Sequence, residues 1–207
     1  LIKAIEGNMF GKVMPPSSPA LEVRNCHLTS KGGVLLHLME NDDPGMGISC
    51  HDLHWADSYT VPDTTPVTLP DWDSADPDAQ STVRVRFADM DMAGDIYNTR
   101  FGSGHNLALT LENVRYAGAI TAGRQFHRNF KPGDKITPAE ARELGNVGCL
   151  PAPAACNGVI VTLTAGTSWT VTSTSYLTSQ PSEDGASVSA APGCELIMTV
   201  DGVETPV

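Results

Sequence analysis

The sequence predicts an all-β chain, a right-handed parallel β-helix whose short strands stack coil upon coil. Three observations predict it: an internal repeat that aligns without a gap, period-two alternation inside each repeat, and an Asn or Asp at the same place in successive units. The repeat is clearest where Val83 through Ile96 aligns with Leu107 through Ile120 at an offset of 24. Apolar residues coincide at Val83/Leu107, Val85/Leu109, Phe87/Leu111, Met90/Val114 and Met92/Tyr116, and Gly94 coincides with Gly118. The same pattern fits Leu21-Val23-Asn25-Cys26-Leu28 and Ile48-Cys50-Asp52-Leu53-Trp55.

Each element follows from that pattern. Alternation at period two buries one face of a strand, and a polar residue that breaks it marks a corner between two short strands. One such unit cannot bury its own apolar face, so units must stack. Asn25, Asp52, Asp89 and Asn113 hold equivalent corner places; Asx side chains there satisfy local backbone groups, and a structural role is expected of them. The last third continues with Val159-Val161-Leu163, Trp169-Val171, Tyr176-Leu177, Val188 and Leu196-Met198-Val200, punctuated by Gly158, Gly166, Gly185, Gly193 and Gly202. Two insertions, near 57–82 and 122–157, interrupt what reads as one domain over 1–207. Within the second, Thr137-Pro138-Ala139-Glu140 is a capping box that predicts a short helix to Leu144, stopped by Gly145. A β-sandwich is the rival fold, and the ungapped repeat favours the solenoid.

Bulk properties narrow the function. The 207 residues suffice for a real core, and 41% of them are hydrophobic. No apolar run is long enough to span a bilayer. A formal net charge of −11 argues against nucleic acid, which is bound through basic surface. Abundant Thr, Ser, Gly, Asp and Asn with only thirteen Lys and Arg suit an extracellular or cell-surface protein. A start at Leu1 without a charged-then-apolar leader reads as a processed or excised piece. The cysteine count of five is odd; Cys149 and Cys156 bracket a Pro-Ala loop and could close a small ring, while Cys26, Cys50 and Cys194 fit buried thiols.

The stretch Asn157 to Thr164, then Ser168-Trp169-Thr170-Val171-Thr172 and Ser175 to Ser179, resembles the terminal coils of bacterial right-handed β-helix repeat proteins. These secreted or surface proteins of the pectin-lyase-like superfold include non-catalytic carbohydrate-binding members. The resemblance covers 157–202 best and implies fold more than activity. Hydrolases of the superfold carry paired Asp, Gly-His-Gly and Arg-x-Lys; here Gly104-His105-Asn106 and Asn98-Thr99-Arg100 are only partial echoes, Asp42-Asp43 lies in another loop and no Arg-x-Lys appears, so no catalytic residue is carried over.

The candidate ligand-binding residues are Arg124, Phe126, His127, Arg128 and Lys131, with Trp72 as a further aromatic. The segment 124–135 with Arg142 holds five of the thirteen basic residues and interleaves two Phe and a His. Arginine offers forked hydrogen bonds and aromatic rings stack on sugar faces, which suits a polysaccharide, and an acidic one in particular. Asp71, Asp73, Asp76 and Asp78 surround Trp72 with hard oxygen ligands of the kind calcium takes, without the Gly and distal Glu of a calcium loop. No Cys or His spacing suggests zinc. His51 and His54 read as surface decoration, and the alternating Thr162, Thr164, Thr170, Thr172 and Thr174 as outward strand residues. The expected function is non-catalytic polysaccharide binding. Cleavage of polysaccharide by a cluster such as Asp89, Asp91 and Asp95 is the alternative. A stalk, adhesin or self-associating filament subunit is a third reading.

Overall fold

The computed structural model describes residues 2–6, 8–9, 12–13, 19–40, 82–100, 106–129, 146–153, 158–200 and 203–206. The chain is all-β, and no helix occurs among these residues. The expected helix over 137–144, Trp72, Lys131, Asp52, the Asp71–Asp78 segment, Cys50 and Cys156 lie outside them. The strands are β1 (Ile2–Glu6), β2 (Asn8–Met9), β3 (Lys12–Val13), β4 (Ala20–Arg24), β5 (His27–Glu40), β6 (Val83–Asn98), β7 (Leu107–Ala117) and β8 (Ile120–His127). They continue as β9 (Val147–Pro151), β10 (Val159–Leu163), β11 (Ser168–Val171), β12 (Ser175–Leu177), β13 (Ser187–Ala190), β14 (Leu196–Val200) and β15 (Val203–Pro206).

Pairing follows the repeat residue for residue. β6 and β7 are parallel with Val83 opposite Leu107, Val85 opposite Leu109, Phe87 opposite Leu111, Met90 opposite Val114 and Met92 opposite Tyr116. The offset of 24 is therefore the register of two neighbouring rungs. β4 lies parallel on the first part of β6, with Leu21 opposite Val85, and β5 on the rest, with Leu28 opposite Met92 and Leu36 opposite Ile96. On the other side β10 and β11 pair in parallel with β7, placing Val159 on Leu107 and Trp169 on Tyr116. β13 follows β11, with Val188 on Trp169. Ile96 meets Ile120, and Ser175 meets Leu196, in a third series of parallel pairs.

β6 thus runs through three arms joined by two corners, and these arms pair in parallel with β4 and β5 on one side and with β7 and β8 on the other. Alternation sends one side chain in two to the interior. Leu38, Phe87, Ile96, Leu107, Leu111, Val114, Ile120, Val159, Val161, Leu163 and Val171 are all fully buried. Burying each such side chain stabilises the fold by about 1.5–3 kcal/mol. Burial weakens at the outermost rungs: Leu21, Val23, Leu28, Ala186 and Met198 are partly buried, and Val188 in β13 is 36% exposed. The third arm ends differently, because β15 turns back antiparallel on β14.

The first corner is where the Asx residues sit. Asn25, Asp89 and Asn113 have φ of 55°, 52° and 49°, the left-handed region that Asn and Asp enter more readily than other side-chain-bearing residues. Gly166 and Gly185, with φ of 81° and 89°, take the same place in the next rungs. From the sequence these side chains are expected to satisfy backbone groups, but the bond observed runs between side chains. Asn113 Nδ2 donates to Asp89 Oδ1 at 2.9 Å, so the side chains bond one another across rungs.

The second corner is glycine and aromatic. A Cβ on Gly118 would collide with Gly94 O and the Tyr116 hydroxyl. Tyr116 Oη lies 2.8 and 2.9 Å from Gly94 O and Ala119 O, which share its single proton, and Trp169 Nε1 donates to Gly118 O at 2.9 Å. The two rings stack with centroids 6.1 Å apart.

Candidate functional site

The second insertion begins and ends in ordered structure. β8 leaves the third arm after Ala122 and pairs antiparallel with β9, setting Arg124 opposite Leu150, Gln125 opposite Cys149 and Phe126 opposite Gly148. The ladder extends by one bond, from Arg128 N to Asn146 O at 3.0 Å.

Strand alternation divides this hairpin into two faces. Gln125 faces inward and is buried: Thr99 Oγ1, itself bonded to His37 Nε2 at 2.8 Å, lies 3.4 Å from Gln125 Oε1. Cys149 shares that face, and its thiol pKa is raised by burial and by the charge of Asp95. Tyr97 stands edge-on to His37 and donates to Asp95 Oδ2 at 2.6 Å; burial and that bond raise the phenol pKa. A thiol held protonated by burial is a poor nucleophile.

The outward face carries Arg124, Phe126 and Arg128. Arg124 and Phe126 are half-buried and Arg128 is exposed. The Phe126 ring lies over Gly148, where a Cβ would come within 2.5 Å of its Cζ. The absence of a side chain at Gly148 therefore leaves the space that the end of the Phe126 ring occupies. Leu150, 42% exposed, adds apolar surface beside Arg124. Arg128 Nε donates to Val147 O at 3.3 Å. Neither arginine has a carboxylate partner among the described residues, whereas Arg86 is held by Glu22 and Glu112 and Arg115 by Asp91. Of the predicted site, the structure brings these three together. His127 ends β8 and nothing further is described of it.

A second concavity, missed by sequence reading, runs along the first corner. This groove of about 620 Å³ is lined by Asn25, Cys26, Asp89, Met90, Asp91, Asn113, Arg115 and Gly166. Its signal in the sequence was present, since the corner residues recur at the repeat offset, but a concavity beside them depends on Gly166 having no side chain. Both oxygens of Asp91 accept from Arg115, at 2.7 and 2.9 Å. That bond is the main cause of the lowered Asp91 pKa. Asp95 stands at the other corner, accepting from Ala119 N at 2.8 Å and from Tyr97, so the three candidate catalytic aspartates do not form one cluster.

Cys149 carries a free thiol and does not close a ring with Cys156. Cys26 and Cys194 are also free; Cys26 is exposed rather than buried, because the corner turns its side chain outward. Among the described residues no group of three or more His, Cys, Asp or Glu is placed to hold a metal ion, and no helix is long and apolar enough to cross a membrane. Compared with protein-family models, with curated proteins and with solved structures, the chain matches none.

Proposed function

We propose that this chain is a β-solenoid of parallel β-helix type, acting outside the cell as a non-catalytic polysaccharide-binding protein through the outward face of the β8–β9 hairpin. The three-armed rungs in parallel register support the solenoid reading. The observation that carries the function is the alignment of Arg124, Phe126 and Arg128 on one strand face, with the phenyl ring laid on Gly148. An aromatic face offers a sugar ring flat apolar contact, while guanidinium groups supply donors to its oxygens.

Affinity electrophoresis against a panel of neutral and acidic polysaccharides, with released ends assayed in the same mixtures, tests this reading. Retardation that disappears in Phe126→Ala without any release of ends supports it. Release of reducing or unsaturated ends by the wild type would replace binding by catalysis. Retardation unchanged in Phe126→Ala would move the site elsewhere.

A further inference from the structure

We propose that the hairpin face is a two-point receptor for a carboxylated glycan, engaging one carboxylate at Arg124 and a second at Arg128, with a sugar ring over Phe126 between them. This rests on the reading of the hairpin as a glycan site and specifies its ligand.

Three residues stand between the two arginines, and four steps of near-extended backbone place them about 13 Å apart. A single sugar cannot reach both, so recognition requires a chain. The planar guanidinium fork matches a carboxylate with two parallel hydrogen bonds, which a neutral hydroxyl cannot reproduce. Among the described residues Arg124 and Arg128 have no carboxylate partner, whereas Arg86 and Arg115 are neutralised by neighbouring acids. Arg128 is anchored by Nε on the Val147 carbonyl, leaving its terminal nitrogens for a ligand and limiting the rotamers that binding must freeze.

The remaining surface sets an upper limit. The whole chain carries a formal net charge of −11, so acidic sugars beyond the two arginines meet like charge. Affinity therefore rises until the glycan spans both arginines and then levels off, instead of growing with every added residue. Salt weakens the interaction, because both arginines are near solvent.

The test is calorimetric titration of the whole chain with β-1,4-linked mannuronate oligomers of increasing length, and with mannose oligomers of the same linkage as carboxyl-free counterparts. The expected result is no measurable binding of the monomer, a step in affinity at the length that bridges the two arginines, and a plateau above it. Mannose oligomers bind at least about tenfold more weakly, the loss expected for a charge-assisted hydrogen bond. Arg124→Gln and Arg128→Gln each remove the step while leaving the unfolding midpoint unchanged, since both side chains face outward. Equal binding of monomer and long oligomer, equal binding of acidic and neutral oligomers, or a step that survives Arg128→Gln overturns the two-point receptor. If mannose oligomers bind as tightly as mannuronate oligomers and Phe126→Ala abolishes both, the glycan site stands and only its carboxylate specificity falls. If no oligomer of either kind binds, both readings fall.

Discussion

The two corners of the rung solve the same steric problem by opposite means. At the first, Asn25, Asp89 and Asn113 adopt a left-handed backbone and keep their side chains in water, and Asn113 bonds Asp89 across rungs. At the second, glycine removes the side chain, and Tyr116 and Trp169 close over the backbone from inside, each donating to a carbonyl of the corner. An exposed corner leaves polar groups available and tolerates change. A buried corner must pair every carbonyl it covers, because an unpaired buried carbonyl costs about 1–3 kcal/mol. Stability therefore concentrates at the second corner, and recognition has room only at surfaces like the first corner and the hairpin face.

Substitutions can break this contrast. The largest effect is expected from Trp169→Ala, which empties a site that is 1% exposed and strands the Gly118 carbonyl. It should lose about 3–5 kcal/mol in urea unfolding, and a loss below about 1 kcal/mol would contradict the closed second corner. Next comes Gly118→Ala, whose methyl meets Gly94 O and Tyr116 Oη, with an expected cost of about 1–3 kcal/mol by the same measurement. At the first corner Asn113→Ala should cost about 1 kcal/mol, the strain of a left-handed alanine, whereas Asn113→Gly should be nearly neutral. If the two behaved alike, the Asn113–Asp89 bond rather than the backbone would hold the corner.

The smallest effect is expected for Asp91→Asn. Its carboxylate pairs with Arg115 at an exposed position, where such pairs contribute little. Because the Asp91 pKa is lowered in the folded state, that small contribution is present above the ordinary carboxylate range and is lost as pH falls through the folded value. Urea midpoints of wild type and variant should therefore converge on acidification, and divergence at low pH would contradict the sign.

Much of the parallel stack was legible because its register is the repeat itself: Phe87 lies on Leu111 as the offset of 24 requires. The later rungs were legible only as alternation. Trp169 pairs with Tyr116 across the second insertion, and Val188 follows Trp169 after a shorter interval, so no constant period connects them. At the first corner the Asx positions were readable, while their left-handed backbone was not. In the hairpin, the basic-aromatic composition marked Arg124, Phe126 and Arg128. The seat provided by Gly148 depends on antiparallel pairing across a long connection, which local sequence does not specify. The sequence left open whether Cys149 closes a ring; its free thiol under the hairpin depends on the same pairing.

The parallel order of the rungs also dictates how the chain can be assembled in time. β7 can zip onto β6 as soon as it is made, since their partners are 24 residues apart. The other side of β7 must wait for β10, whose Val159 joins Leu107 only after the hairpin insertion has been synthesised. Contacts separated this far along the chain slow folding, and during that wait the inward residues of β7 are exposed to any other unpaired strand nearby. A rung completed late therefore sets the pace at which this protein becomes safe from its own copies.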